Sequence, residues 1–501
     1  MKNHLHYETT FAAKGAPSRR KESEPFRVLL IGDFSGRRWQ RARGEVRPLR
    51  RPVAVDVEHF EHAMGAFQPR LLDGDGVLEL TSLDSFHPDT LFAQMSVFEA
   101  LRRIRSNLQS GGSIEQAMVD VKNWLQEPAS AGVEPPAPTA PANRGASEDT
   151  SSLLGRLLGG TPPQHRSPAE AVVAAHLQEL VRPYLAAPAD PRRQSLQQSL
   201  DDVLSATMRV QLARADFCEL EAAWRGAHWV ASSLDTNEEI QIFLFDAIKE
   251  DIADDVKSSG GALEQSTLHR LLVEGGASWS VLATSETFGA NADELAVLAS
   301  LGALGARAGA PVIADAGIDL LGCASADALT TPSRWEALAD DAGAFWRELR
   351  ASPIARHVAL VVPRILLRLP YGKKTDPIDA FPFEELPKDS GADPSWYRYA
   401  SGAFGAAILL GKAFQSSGWD MTPGDELELD DLPALSYKED GEQRLLPCAE
   451  WAVSESVATK ILERGINPVV SYYNRNAVRF MRIQAIAEPA SSLSGAWSSG
   501  E

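Results

Sequence analysis

The stretch Val361-Val362-Pro363-Arg364-Ile365-Leu366-Leu367-Arg368-Leu369-Pro370-Tyr371-Gly372 constrains this chain more than any other. Apart from its arginines it reads as a buried strand, from about Val358 to Leu369, that stops at the Pro370-Tyr371-Gly372 turn. A guanidinium inside such a run needs partners, or a route by which its head reaches water while its stem stays buried. Arg364 and Arg368 are separated by an even number of positions, so on a strand they share one face. The partners are either acids and carbonyls of this chain or an intersubunit salt bridge, and both readings are open.

A second marked string lies upstream, Phe217-Cys218-Glu219-Leu220-Glu221-Ala222-Ala223-Trp224-Arg225-Gly226-Ala227-His228-Trp229-Val230, and reads as a helix. Trp224 is expected as a core anchor and Arg225 as a bridge to a neighbouring helix. Together the two strings resemble the large subunit of the type VI secretion contractile sheath, and the resemblance runs from about residue 150 to about 487.

The opening of the chain carries a different pattern. Phe26 to Ile31 reads as a strand ending in Gly32-Asp33-Phe34-Ser35-Gly36, Pro52 to Asp56 as a second, and Val77 to Leu80 as a third. Asp56 is placed to cap a helix from about Val57 to Met64, and a turn at Ser85 to Asp89 opens a long helix to about Leu108. The order resembles the small subunit of the same sheath over residues 25 to 108. Gly32, Asp33 and Gly36 match its strand-end motif, and Glu58-His59-Phe60 through Met64 to Pro69-Arg70-Leu71 and Phe86-His87-Pro88-Asp89 match two more. His59 stands where that pattern usually has Asn, so the local cap is expected to differ.

From Pro168 onward helices and strands alternate, which indicates an α/β fold with mixed sheets and flanking helices. A chain of 501 residues exceeds one ordinary core. The expected organisation is a mobile arm (1–24), a small-subunit-like domain (25–127), a flexible linker (128–167), a large-subunit-like domain (168–487) and a disordered tail (488–501). The linker is rich in Pro, Ala, Gly and Ser and too poor in apolar surface to order itself. Within it Leu153, Leu154, Leu157 and Leu158 share one face of a short predicted helix. The resemblance implies that this segment corresponds to the helix captured by ClpV, the AAA+ ATPase that recycles the sheath. Docking on its own domain is the open alternative.

A net charge of −19 argues against a nucleic-acid or anionic-membrane surface. Cys218, Cys323 and Cys448 have neither zinc nor redox spacing, no apolar leader opens the chain, and no uninterrupted apolar stretch is long enough to span a bilayer, so a reducing cytoplasm is expected. The 32–36 turn lacks the Gly-Lys-Ser/Thr of a phosphate loop. His59, Glu61 and His62 fall close together without an evident third metal ligand, and Asp425 to Asp431 lacks calcium-loop spacing. No cofactor, metal or catalytic residue is expected.

The resemblance implies a non-enzymatic sheath component, a fusion of both subunits. Its implied partners are other sheath subunits, inner-tube or baseplate proteins, and ClpV. The large-subunit pattern normally continues into further inter-subunit strands, so action at a sheath end or baseplate is expected. A soluble adaptor that binds free sheath subunits or the ATPase is the rival reading.

Overall fold

A computed structural model of the chain describes residues 24–126 and 191–497, apart from 75, 388–392 and 440–441. The leucine segment 153–158 and the linker lie outside the described residues. The strands are β1 (Phe26–Gly32), β2 (Val53–Val55), β3 (Arg70–Asp73), β4 (Gly76–Glu79), β5 (Ile240–Asp246), β6 (Val281–Phe288), β7 (Val312–Ala316), β8 (Val358–Val362), β9 (Ile365–Arg368), β10 (Arg398–Ala400), β11 (Glu428–Leu429), β12 (Ser436–Glu439), β13 (Glu442–Leu445), β14 (Asn467–Ser471) and β15 (Val478–Phe480). Nine of them form one sheet in the order β11-β15-β14-β8-β7-β6-β1-β5-β2. The six from β14 to β5 run parallel; β2 pairs antiparallel with β5 at one side, and at the other β15 pairs antiparallel with β14 and β11 antiparallel with β15. The mixed α/β architecture is the one expected.

The central strands are buried on both faces, which is why β1 and β8 read as near-continuous apolar runs rather than alternating ones. The first strand of the chain sits in the middle of this sheet. Val28 of β1 pairs with Ile242 of β5 on one side and Val281 of β6 on the other. The two segments read as separate subunits therefore share one sheet and one hydrophobic core.

The N-terminal segment supplies helices α1 (Arg37–Ala42), α2 (Phe60–Phe67), α3 (Pro88–Gln94), α4 (Glu99–Gln109) and α5 (Ile114–Gln126). The second segment supplies α6 (Pro191–Leu212), α7 (Ala215–Ser233), α8 (Lys249–Ser258), α9 (Thr267–Leu272), α10 (Ala292–Ala308), α11 (Asp340–Ala351), α12 (Gly402–Ser417) and α13 (Glu455–Glu463). Helices α10 and α12 cover opposite faces of β8. A Cβ on Gly302 of α10 would lie 2.5 Å from Val358, and one on Gly402 of α12 would lie 2.6 Å from Val361. Those valines are an odd number apart and so point to opposite sides. Both helices approach the sheet closely because their small residues permit it. Among the described residues no helix is long and apolar enough to cross a membrane.

Four local expectations change. The strand expected over Val358–Leu369 is two strands, because Pro363 has no N–H for the ladder. The chain leaves the large sheet there, and β9 pairs antiparallel with β10 instead. Arg364 precedes β9 and Arg368 ends it, so they do not share a strand face. The helix expected from Asp89 to Leu108 breaks at Met95, where Ser96 donates from its N and Oγ to the Asp73 carboxylate at 2.7 and 2.9 Å. Residues 493–497 of the expected disordered tail are packed: Leu493, Ala496 and Trp497 are buried, and Ser494 N donates to Arg356 O at 2.8 Å. Two apolar side chains in a Ser/Gly-rich string suffice to dock it.

Candidate functional site

The two signature strings meet in a buried charge cluster beneath β9 and β10. Glu221 on α7 is fully buried and faces three guanidiniums. Arg368 Nε lies 2.8 Å from its Oε1, Arg225 Nε donates to the same oxygen at 2.8 Å, and Arg398 Nε donates to Oε2 at 3.0 Å. A second buried acid, Glu385, accepts from Arg368 Nη1 at 2.8 Å and from the main-chain N of Tyr371 at 2.8 Å. Arg225 Nη2 donates to the Tyr371 hydroxyl at 2.9 Å, and the Arg368 guanidinium lies 4.1 Å from the centre of the Tyr371 ring.

The turn that begins at Pro370 is therefore held at both ends of Tyr371. Gly372 lies against the Glu384 carboxylate, which a Cβ would meet at 2.2 Å. Burial alone would raise the Glu221 carboxyl. Arg368, Arg225 and Arg398 outweigh it and hold that group down at about 2. Burial likewise pushes the Tyr371 phenol up to about 12. Each charged group of the cluster is taken up by other parts of the same chain. The arrangement ties α7, β9, β10 and the Phe383–Glu385 loop together.

Arg364 is set apart from this cluster. Its half-exposed side chain pairs with Glu450 through Nε at 2.9 Å and Nη2 at 2.5 Å. Both signature arginines thus have carboxylate partners within the chain, one pair buried and one near the surface.

On the other side of α7, Trp224 joins the second segment to the first. Its indole packs edge-on to Phe34, Phe60 and Phe67, and its Nε1 donates to Phe34 O at 2.9 Å. Gly226 faces α12, where a Cβ would meet the Phe404 ring at 2.9 Å. That approach requires glycine at the third position of Trp224-Arg225-Gly226.

The Gly32–Gly36 turn proves to be a joint between the segments. Asp246 at the end of β5 accepts from Phe34 N at 2.9 Å, Ser35 Oγ at 2.8 Å and Arg37 Nε at 2.7 Å. Asp33 accepts from the N–H groups of Arg37 and Arg38 at the start of α1, the latter at 2.9 Å. Burial and the neighbouring Asp246 push the Asp33 carboxyl up to about 7. Arg38 reaches Glu219, Glu250 and Glu286 of the second segment. Gly36 adopts φ 81°, a left-handed conformation that favours glycine, and a Cβ there would strike Trp39 and Arg70 O. Gly32 packs against Ser285. A third strand-end acid, Asp315 of β7, accepts from Ala403 N at 3.1 Å, and burial pushes it up to about 7.

Among the described residues no group of three or more His, Cys, Asp or Glu could hold a metal ion. His59 instead stands at the N-cap position of α2 without a side-chain cap, and its N donates to the Asp56 carboxylate at 2.7 Å. Burial raises the thiols of Cys218, Cys323 and Cys448 to about 11, so none is a poised nucleophile. The acidic run holds a turn, with Asp425 accepting from Thr422 N, and an ion pair between Asp430 and Arg475.

Sequence reasoning did not single out Glu221, Glu385, Arg398, Asp246 or Asp315. Only Glu221 carried a local signal, four residues before Arg225 on one helix.

Residues 194–487 match the family model described as EvpB/VC_A0108, tail sheath N-terminal domain. Residues 8–127 match the model described as Type VI secretion system, VipA, VC_A0107 or Hcp2. The chain is also similar to the type VI secretion system sheath protein TssC1 of Pseudomonas aeruginosa, at 29% identity over 311 residues. That alignment covers 59% of this chain and 62% of the relative, so the chain spans less than two thirds of the relative's length.

Proposed function

The chain belongs to the tail-sheath family of type VI secretion systems, with a small-subunit-type segment fused ahead of the large-subunit one, and we propose that it acts at a sheath end or at the baseplate. The family is structural, and the protein is a sheath-type structural component. The observation that carries the finer reading is the brevity of the outer strands. Among the described residues, β2 has three residues and β11 two. Lateral strand exchange needs longer free ladders than these. A subunit with such short edges suits a position with fewer strand-exchange neighbours than a protomer inside the tube has.

Its partners in this reading are other sheath subunits, with inner-tube or baseplate proteins beside them, in the cytoplasm. ClpV is a further proposed partner, through Leu153, Leu154, Leu157 and Leu158. Leu154→Asp with Leu157→Asp is expected to abolish binding to that ATPase while leaving the fold intact, and unchanged binding would overturn this part of the reading. The short edges equally suit an adaptor that binds free sheath subunits or the ATPase and never enters the tube.

Electron microscopy of the protein, alone and co-expressed with the sheath subunits of the same system, separates these roles. Particles at tube ends in the mixture are the expected result. Tubes from the protein alone would make it an ordinary sheath protomer. No association with the tube in either case would leave the adaptor.

A further inference from the structure

Seven arginines lie between Arg37 and Arg51, in a chain whose net charge is −19. The three on α1 are neutralised: Arg37 by Asp246 and Asp251, Arg38 by Glu219, Glu250 and Glu286, and Arg41 by Asp251 and Asp254. The other four, Arg43, Arg47, Arg50 and Arg51, lie on the irregular stretch that joins α1 to β2, with Glu45 as its one acid. Among the described residues none of these four forms an ion pair. Burial, and then the positive charge of Arg70, pull the Arg47 guanidinium below its usual range against the opposing pull of Asp246.

This stretch leads directly into β2, the outer strand at one side of the nine-stranded sheet. Beside it lies a cleft of about 250 Å³ lined by Arg51, Pro52, Phe243, Arg270, Leu271 and Trp279. The outer strand at the opposite side is β11, which lies inside the acidic run Asp425-Glu426-Leu427-Glu428-Leu429-Asp430-Asp431. Asp425, Asp430 and Asp431 are exposed there and Glu426 is half-buried. Arg475 already pairs with Glu428 and Asp430, which leaves Asp425, Glu426 and Asp431 without an ion pair among the described residues, so the sheet ends in guanidiniums without ion pairs on one side and in an excess of carboxylates on the other.

We propose that these two ends meet between copies of the chain: the arginine stretch 43–51 of one copy docks on the acidic run 425–431 of the next. Guanidinium forks match carboxylates in geometry as well as charge. The two patches differ, so the contact is head-to-tail, and each added copy leaves one patch free at either end of the row. Such a contact closes into a ring or continues as a helix, according to the rotation between neighbours. The inference deepens the sheath-end reading and rests on it in naming a second copy as the occupant. Nucleic acid is the poorer occupant, since a long polyanion would run beyond the arginines onto a surface of net negative charge.

The test uses the full chain and two charge-reversed forms, Arg50→Glu with Arg51→Glu, and Glu426→Lys with Asp431→Lys. Sedimentation velocity of the unaltered chain is expected to show self-association that weakens by about tenfold or more between roughly 50 mM and 500 mM salt. Each reversed form alone is expected to be monomeric, and their equimolar mixture to form pairs, because the acidic loop of one then faces the basic run of the other. Arg50→Gln with Arg51→Gln, which adds no negative charge, is expected to weaken the self-association of that form less than the Glu reversal does. An unaltered chain that stays monomeric at low salt overturns the proposal. So does association that survives both reversals, or a mixture that stays monomeric. Pairing in the mixture without recruitment of the chain to sheath tubes would overturn the sheath-end reading alone. Recruitment without pairing would overturn the inference alone.

Discussion

The indole N–H of Trp224 donates to the main-chain oxygen of Phe34, 190 residues away in sequence, at 2.9 Å. Both groups are buried, so the bond is exchanged for nothing when it is lost. Trp224→Phe keeps most of the packing and leaves the carbonyl without this donor. The expected loss is about 1–3 kcal/mol of unfolding free energy, read by urea denaturation. Trp224→Ala also empties the space between Phe34, Phe60 and Phe67, with an expected loss of about 3–5 kcal/mol. A Trp224→Phe form as stable as the unaltered chain would remove the hydrogen bond from the account.

The two signature arginines are expected to separate sharply on mutation. Arg368→Ala leaves Glu221 and Glu385 buried with fewer cations, and breaking a buried pair typically costs about 3–5 kcal/mol. Arg364→Ala loses a half-exposed pair with Glu450, for which about 1 kcal/mol or less is expected. Thermal melts of both variants check the ordering; equal losses would contradict it.

Gly226→Ala places a methyl 2.9 Å from the Phe404 ring. Overpacking of a well-filled core costs about 1–3 kcal/mol. A companion Phe404→Leu change, which makes room, is expected to return part of that loss. Additive losses in the double variant would show that the contact is not the cause.

Asp33 and Asp315 make stability depend on pH. Burial raises both carboxyls from 3.8 to about 7 in the folded chain. The folded state therefore binds more protons than the unfolded one between about pH 4 and 7. The stabilisation from this proton uptake is complete below pH 4 and is lost as the pH rises through 7. Each tenfold change in proton affinity corresponds to about 1.4 kcal/mol, so the Asp33 effect is of order 4 kcal/mol at most. Glu221 acts in the opposite sense. Its carboxyl is held down at about 2, so its contribution is present above pH 4.5 and is lost toward pH 2. Asp33→Asn is expected to flatten the profile of melting temperature between pH 5 and 8 without moving the acid limb. A profile unchanged by the substitution would assign the slope to other groups.

The strands of the large sheet were legible because strands covered on both faces are apolar almost throughout, as in Val358–Val362. The Trp224 helix was legible from its motif, and its anchoring role from the cost of exposing an indole. What the sequence hid were partners. Arg368 announces that it needs carboxylates, but Glu221 lies 147 residues away and Glu385 follows it by 17, inside a loop without a periodic pattern. The break at Pro363 was visible as a missing donor, yet the apolar residues on both sides favoured one long strand. The ordering of Leu493 and Trp497 depends on a groove that only the folded sheet creates.

The placement of β1 between β5 and β6 means that neither segment holds a finished sheet by itself. Were the segments separate chains, their union would depend on encounter and would reverse on dilution. A covalent connection makes that union intramolecular, sets the ratio of the two parts at one to one, and replaces their free concentrations with a single effective concentration fixed by the connecting residues.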